Sequence, residues 1–141
     1  MTEVPRGRVA VIAWLWIASA LNLFYWVSFF TDGAVRSSSD PVYLGFEAAF
    51  PAADAWLGFT SILCAEGLRR RRPWGVLFGV AAGSAFVYLG LMDTLYNLEH
   101  GMYLPMTGEM LAETIINISC FTFGPFLMWY VWRHRKWLGE Y

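Results

Sequence analysis

Four long apolar stretches, separated by short polar intervals, account for nearly the whole chain. They cover about 9–30, 43–68, 74–98 and 110–132. Each holds roughly 20 residues or more, enough for a helix rising about 1.5 Å per residue to cross a hydrocarbon core of about 30 Å. The pattern predicts an all-α integral membrane protein, a four-helix transmembrane bundle forming one domain over 1–141. Composition agrees: 57% of the residues are hydrophobic and only 15% charged, far from the balance of a soluble domain of this size.

The stretches differ in texture. The first carries Asn22 deep within it and an aromatic cluster of Phe24, Tyr25, Trp26, Phe29 and Phe30 towards its far end, where interfacial belts form or a pocket is lined. The second, taken from Pro41 to Leu68, would be about 42 Å long as one helix and needs tilt or a break, which Pro51 supplies. Asp40-Pro41 marks its start. In the third, Gly75, Gly79 and Gly83 recur every fourth residue and present a surface for close helix packing, within the chain or in a homodimer. The fourth is capped by Thr107 with Glu109 in its first turn, and Pro125 bends it.

Charge sets the orientation. Arg6, Arg8, the four arginines at 69–72, Arg133, Arg135 and Lys136 all fall at one end of the predicted helices, and only Arg36 lies at the other. The positive-inside rule places both termini in the cytoplasm and the chain in the cell (inner) membrane as a multi-pass protein. Four arginines in a turn between two spans are accounted for by topology, so no nucleic-acid partner is expected. Ala18-Ser19-Ala20 resembles a signal-peptidase site, yet the apolar run continues to about 22 residues and is read as an uncleaved helix. The tail 132–141 reads as a basic, aromatic surface anchor with a solvated His134.

Ionisable residues inside apolar helices are costly and usually functional. Glu47, Pro51 and Asp54 fall at i, i+4 and i+7, on one face if the segment is a single helix, with the carbonyl of Glu47 left without a donor by Pro51; alternatively a helix begins at Pro51 and Asp54 sits in its first turn, where a carboxylate favours the helix dipole. Asp93, Asn97 and His100 repeat that spacing, and Glu109, read as a cap, leads to Glu113 and Asn117 deeper in. Helical rise sorts these positions into two layers. Asn22, Asp54, Tyr88 and Asn117 come out about 20 Å from the basic edge, and Glu47, Asp93 and Glu113 about 27 to 30 Å, near Trp26, Asn97 and His100. Carboxylates gathered there cannot all remain ionised, so a proton is expected among them.

These positions suggest an acid-lined, aromatic pocket in the outer half for a lipid-soluble, isoprenoid- or sterol-like molecule, suited to proton-transfer chemistry such as isomerisation, cyclisation or epoxide opening. Asp93 is the expected acid or base with Asn97 orienting it, and Asp54 or Glu113 its complement. Glu47, Asn22, Trp26, Tyr88, Asn117 and His100 are the expected ligand-binding residues. A proton- or cation-coupled transporter acting as a dimer is the second reading, and a non-catalytic assembly or lipid-binding subunit the third. Whether the chain is an enzyme stays open. No cofactor or metal is expected. Cys64 and Cys120 stand alone at different depths, and the two histidines fall at opposite ends.

Overall fold

The computed structural model describes residues 3–139, which contain helices and no strand. Six helices follow in order: α1 (Arg8–Thr31), α2 (Pro41–Glu47), α3 (Pro51–Arg70), α4 (Trp74–Glu99), α5 (Gly108–Arg133) and α6 (Arg135–Leu138). Four segments, α1, α2 with α3, α4 and α5, are long and apolar enough to cross a membrane. Helix α1 runs unbroken through Ala18, Ser19 and Ala20. The last two residues of the basic tail, Glu140 and Tyr141, lie outside the described residues.

Local chemistry accounts for the boundaries. Asp40 caps α2 by accepting from the Val42 and Tyr43 amides, with Pro41 in its first turn, and Thr107 caps α5 by accepting from the Met110 amide. The far end of α1 is closed by Arg36, which donates to the Phe29 carbonyl through Nε at 3.0 Å and Nη2 at 2.5 Å, its guanidinium lying over the Phe29 ring.

The second segment is two helices and not one bent helix. Pro51 opens α3, where its missing N–H costs nothing, and the Glu47 carbonyl accepts from the Phe50 amide at 3.0 Å. The free acceptor expected at Glu47 is therefore taken. The three-residue break also removes the shared helical face on which Glu47, Pro51 and Asp54 were aligned. Glu47 ends one helix and Asp54 sits in the first turn of the next.

Packing follows chain order: α1 lies on α3, α3 on α4 and α4 on α5. The glycines of α4 make this possible. A Cβ on Gly67 would come within 2.4 Å of Gly75 Cα, one on Gly79 within 2.6 Å of Val131, and one on Gly83 within 2.6 Å of the Gly124 carbonyl. Of the two uses open to the glycine surface, packing within the chain is the one seen here, against α3 and α5.

Helices α1 and α5 meet near the basic end, where Trp14 and Phe123 stack edge to face at 5.9 Å and the Tyr130 hydroxyl donates to the Arg6 carbonyl at 3.3 Å. Helix α6 closes the same end by placing Trp137 beneath the guanidinium groups of Arg8 and Arg71. Towards the other end α1 and α5 are separated by a cavity. Outside the contacts between helices the surface is strongly apolar, with Leu23, Phe59, Leu77, Leu91, Ile118 and Trp129 among many exposed large side chains.

Candidate functional site

A cavity of about 600 Å³ lies mostly in the half of the molecule away from the basic end and reaches Ala18 and Trp14 of α1 towards it. Its walls come from α1 (Asn22, Tyr25, Trp26), from the α2–α3 segment (Glu47, Phe50, Asp54, Leu57), from α4 (Phe86, Leu89, Asp93) and from α5 (Glu109, Glu113, Cys120). Ala34 and Val35, in the loop after α1, also border it. Five carboxylates line this space, and no basic side chain does.

Each carboxylate is held differently. Glu113, at the α4–α5 interface, accepts on both oxygens: Asn97 Nδ2 donates to Oε1, and Ser37 Oγ donates to Oε2 at 2.5 Å. Ser37 is positioned in turn by Tyr43, whose hydroxyl accepts from the Ser37 amide at 3.2 Å and whose ring is fully buried. Glu47 accepts from the Tyr25 hydroxyl at 3.3 Å, and Asp54 accepts from Trp26 Nε1 at 2.7 Å. Tyr25, Trp26 and Phe29 form one aromatic cluster on α1, so the same packing that buries them aims two donors at carboxylates on other helices.

Among the described residues Asp93 has no hydrogen-bond partner, although it is largely enclosed and interacts electrostatically with Glu47, Asp54 and Glu113. Among the four inner carboxylates it alone has both oxygens available to a ligand. Asp54 keeps one oxygen free, and Glu113 keeps none.

The structure brings together Asn22, Trp26, Glu47, Asp54, Asp93 and Glu113 around one space, so the two layers inferred from helical rise merge into a single lining. Asn97 is buried but serves Glu113 and not Asp93, because the partner across the α4–α5 interface reaches its amide while its own helix neighbour faces the cavity. Tyr88 is 58% exposed on the outward side of α4. Helical rise gives its depth, while its position two residues after the buried Phe86 turns it about 200° away. Asn117 is buried outside the lining, with neither amide atom hydrogen-bonded. His100 is exposed at the end of α4, stacked on Tyr96 at 4.0 Å, and Tyr96 stacks on Phe46 at 3.9 Å. That stack anchors α2 against α4 and leaves the histidine outside the cavity.

Sequence reasoning passes over three contributors. Ser37 sits in a loop with no motif, and the only signal is a run of three serines. Glu109, assigned to a cap, also lines the cavity. Cys120 is a lining thiol, and both cysteines are free and buried. Among the described residues no group of three His, Cys, Asp or Glu side chains is placed to hold a metal ion. Comparison of the chain with protein-family models, with curated proteins and with solved structures finds no match.

Proposed function

We propose that this is a multi-pass protein of the cell (inner) membrane, with both termini cytoplasmic, whose outer cavity binds a lipid-soluble, isoprenoid- or sterol-like molecule and performs proton-transfer chemistry on it. Asp93 is the group that exchanges the proton. The observation carrying this reading is the contrast within the cavity: three inner carboxylates are occupied by protein donors, and Asp93 is left free to meet the ligand. A group built for that exchange must have reach and an open position. The membrane assignment is supported by the exposed apolar side chains, a surface that water would disfavour, and by the confinement of nearly all basic residues to one end.

The chemistry is balanced without a redox partner. A double bond protonated by Asp93 becomes a carbocation, and loss of a proton from an adjacent carbon to the free oxygen of Asp54 yields the shifted double bond. In a cyclisation a second double bond of the molecule attacks that cation and the ring cation so formed loses its proton to Asp54; with an epoxide, the oxygen protonated by Asp93 leaves its carbon as a hydroxyl and the cation left there loses a neighbouring proton to Asp54. Passage of the proton from Asp54 back to Asp93 restores the site. Tyr25, Trp26, Phe50 and Phe86 line the space in which positive charge would develop, and aromatic rings can stabilise such charge.

A transporter has less support. The basic half is closed by close glycine contacts and by Tyr130 against Arg6, and the acids sit to one side of the mid-depth of the helices. Asp93→Asn, Asp54→Asn and Glu113→Gln, each with its folding verified, are expected to abolish binding or turnover of isoprenoid- and sterol-type molecules. Unchanged binding and turnover in all three would reject the site.

A further inference from the structure

We infer that the ligand enters the cavity sideways, from within the membrane through the cleft between α1 and α5, and that its polar end is cationic or becomes cationic beside Asp93. The inference rests on the membrane-bound, ligand-binding reading above and specifies the route and the ligand class.

The route follows from where the walls are missing. Helices α1 and α5 are joined by Trp14–Phe123 and Tyr130–Arg6 near the basic end, and the cavity separates them beyond those contacts. The cleft edges are Leu21 and Phe24 on α1 and Ile115 and Ile116 on α5, which line the cavity and are also 59%, 64%, 56% and 47% exposed. A doorway for water would not present four large apolar side chains. The end-on route is narrowed by the loop after α1. Ala34 and Val35 border the cavity there, with Arg36 tied to the α1 terminus and Ser37 tied to Glu113.

The ligand class follows from charge. Five carboxylates and no basic group line the space, so a phosphate or carboxylate head would find no positive partner there and would be repelled by whichever carboxylates are ionised. An ammonium head, or a carbon that gains positive charge, meets the opposite: Asp93 has no internal donor to give up before engaging it. The volume of about 600 Å³ lies within the range of roughly 300–1,000 Å³ typical of small-molecule sites, with the cleft leaving room for a longer apolar tail in the membrane.

Three photoreactive probes with the same alkyl chain and diazirine, ending in an amine, a carboxylic acid or a methyl group, separate these statements when applied to the full chain in liposomes. The amine is expected to label α1 and α5 at the cleft at least tenfold more than the acid. Asp93→Asn should reduce amine labelling about tenfold, and Leu21→Trp with Ile116→Trp should reduce labelling by the amine and methyl probes alike. Equal labelling by acid and amine, or no effect of Asp93→Asn, would overturn the cationic head while leaving a ligand cavity. Labelling confined to residues 32–37 and insensitive to the tryptophan pair would overturn the sideways route. Absence of cavity labelling by any probe in folded protein would instead strike the ligand-binding reading itself.

Discussion

The indole N–H of Trp26 donates to Asp54 Oδ2 at 2.7 Å, joining α1 to the first turn of α3 across the cavity wall. Removing the donor leaves a partly buried carboxylate without its protein partner, a loss of about 1–3 kcal/mol. Trp26→Phe is therefore expected to lower the thermal unfolding midpoint in detergent. Asp54→Asn keeps an acceptor oxygen and is expected to cost less. The double variant should be less destabilised than the sum of the singles, and strict additivity in that cycle would show that the pair is not coupled.

Glu113 depends on two donors from different parts of the chain, Asn97 on α4 and Ser37 in the loop. Either Asn97→Ala or Ser37→Ala deprives a buried carboxylate of one of them and should destabilise by about 1.5–3 kcal/mol. The two differ in where the damage appears. Ser37→Ala should raise amide hydrogen exchange across residues 32–40, whereas Asn97→Ala should act on the α4–α5 interface. Identical exchange maps for the two variants would contradict the roles assigned to them.

Glycine positions give opposite signs. A methyl group on Gly83 would lie 2.6 Å from the Gly124 carbonyl oxygen, so Gly83→Ala must push α4 and α5 apart and is expected to cost about 1–3 kcal/mol. Gly45 in α2 has open space around it, and Gly45→Ala should stabilise by about 0.4–1 kcal/mol. Parallel melting curves read both. A Gly83→Ala protein as stable as wild type would mean that the helices do not approach as closely as described.

Asp32, beyond the end of α1, accepts from the Ser28 hydroxyl at 2.6 Å and from the Ala34 amide, and the Ser28 bond chiefly holds its carboxyl below the ordinary value of 3.8. A carboxyl depressed in the folded state contributes stability above its unfolded value and loses that contribution as pH falls through the folded value. The local turn should thus be intact at neutral pH and loosen only under strong acid. Carboxyl-carbon NMR of Asp32 should show a titration midpoint under 3.8 that moves up in Ser28→Ala. A midpoint unchanged by that substitution would exclude the hydroxyl as the cause.

Much of the architecture is legible in the chain because the hydrophobic pattern has only to reach membrane-spanning length. The four long segments emerge within a residue or two of their expected limits, and the caps at Asp40 and Thr107 are local signals. What periodicity cannot give is azimuth. Tyr88 has a fitting depth and faces away; Asn97 lies one turn from Asp93 and bonds to another helix. Pro51 marks a break, and the choice between a bent helix and a new helix opening at Pro51 is made by where the Glu47 carbonyl finds its donor. Ser37 was hidden altogether, since a loop serine becomes meaningful only when folding brings it 76 positions along the chain to Glu113.

The central claim is that the outer cavity holds a lipid-soluble ligand through Asp93. Native mass spectrometry of the protein released from detergent micelles tests it most directly, comparing wild type with Asp93→Asn. The wild type is expected to carry an added mass of a sterol- or isoprenoid-sized molecule that is lost in Asp93→Asn while the variant stays folded. A bare wild-type mass after gentle release, or the same bound molecule retained in the variant, would contradict the account.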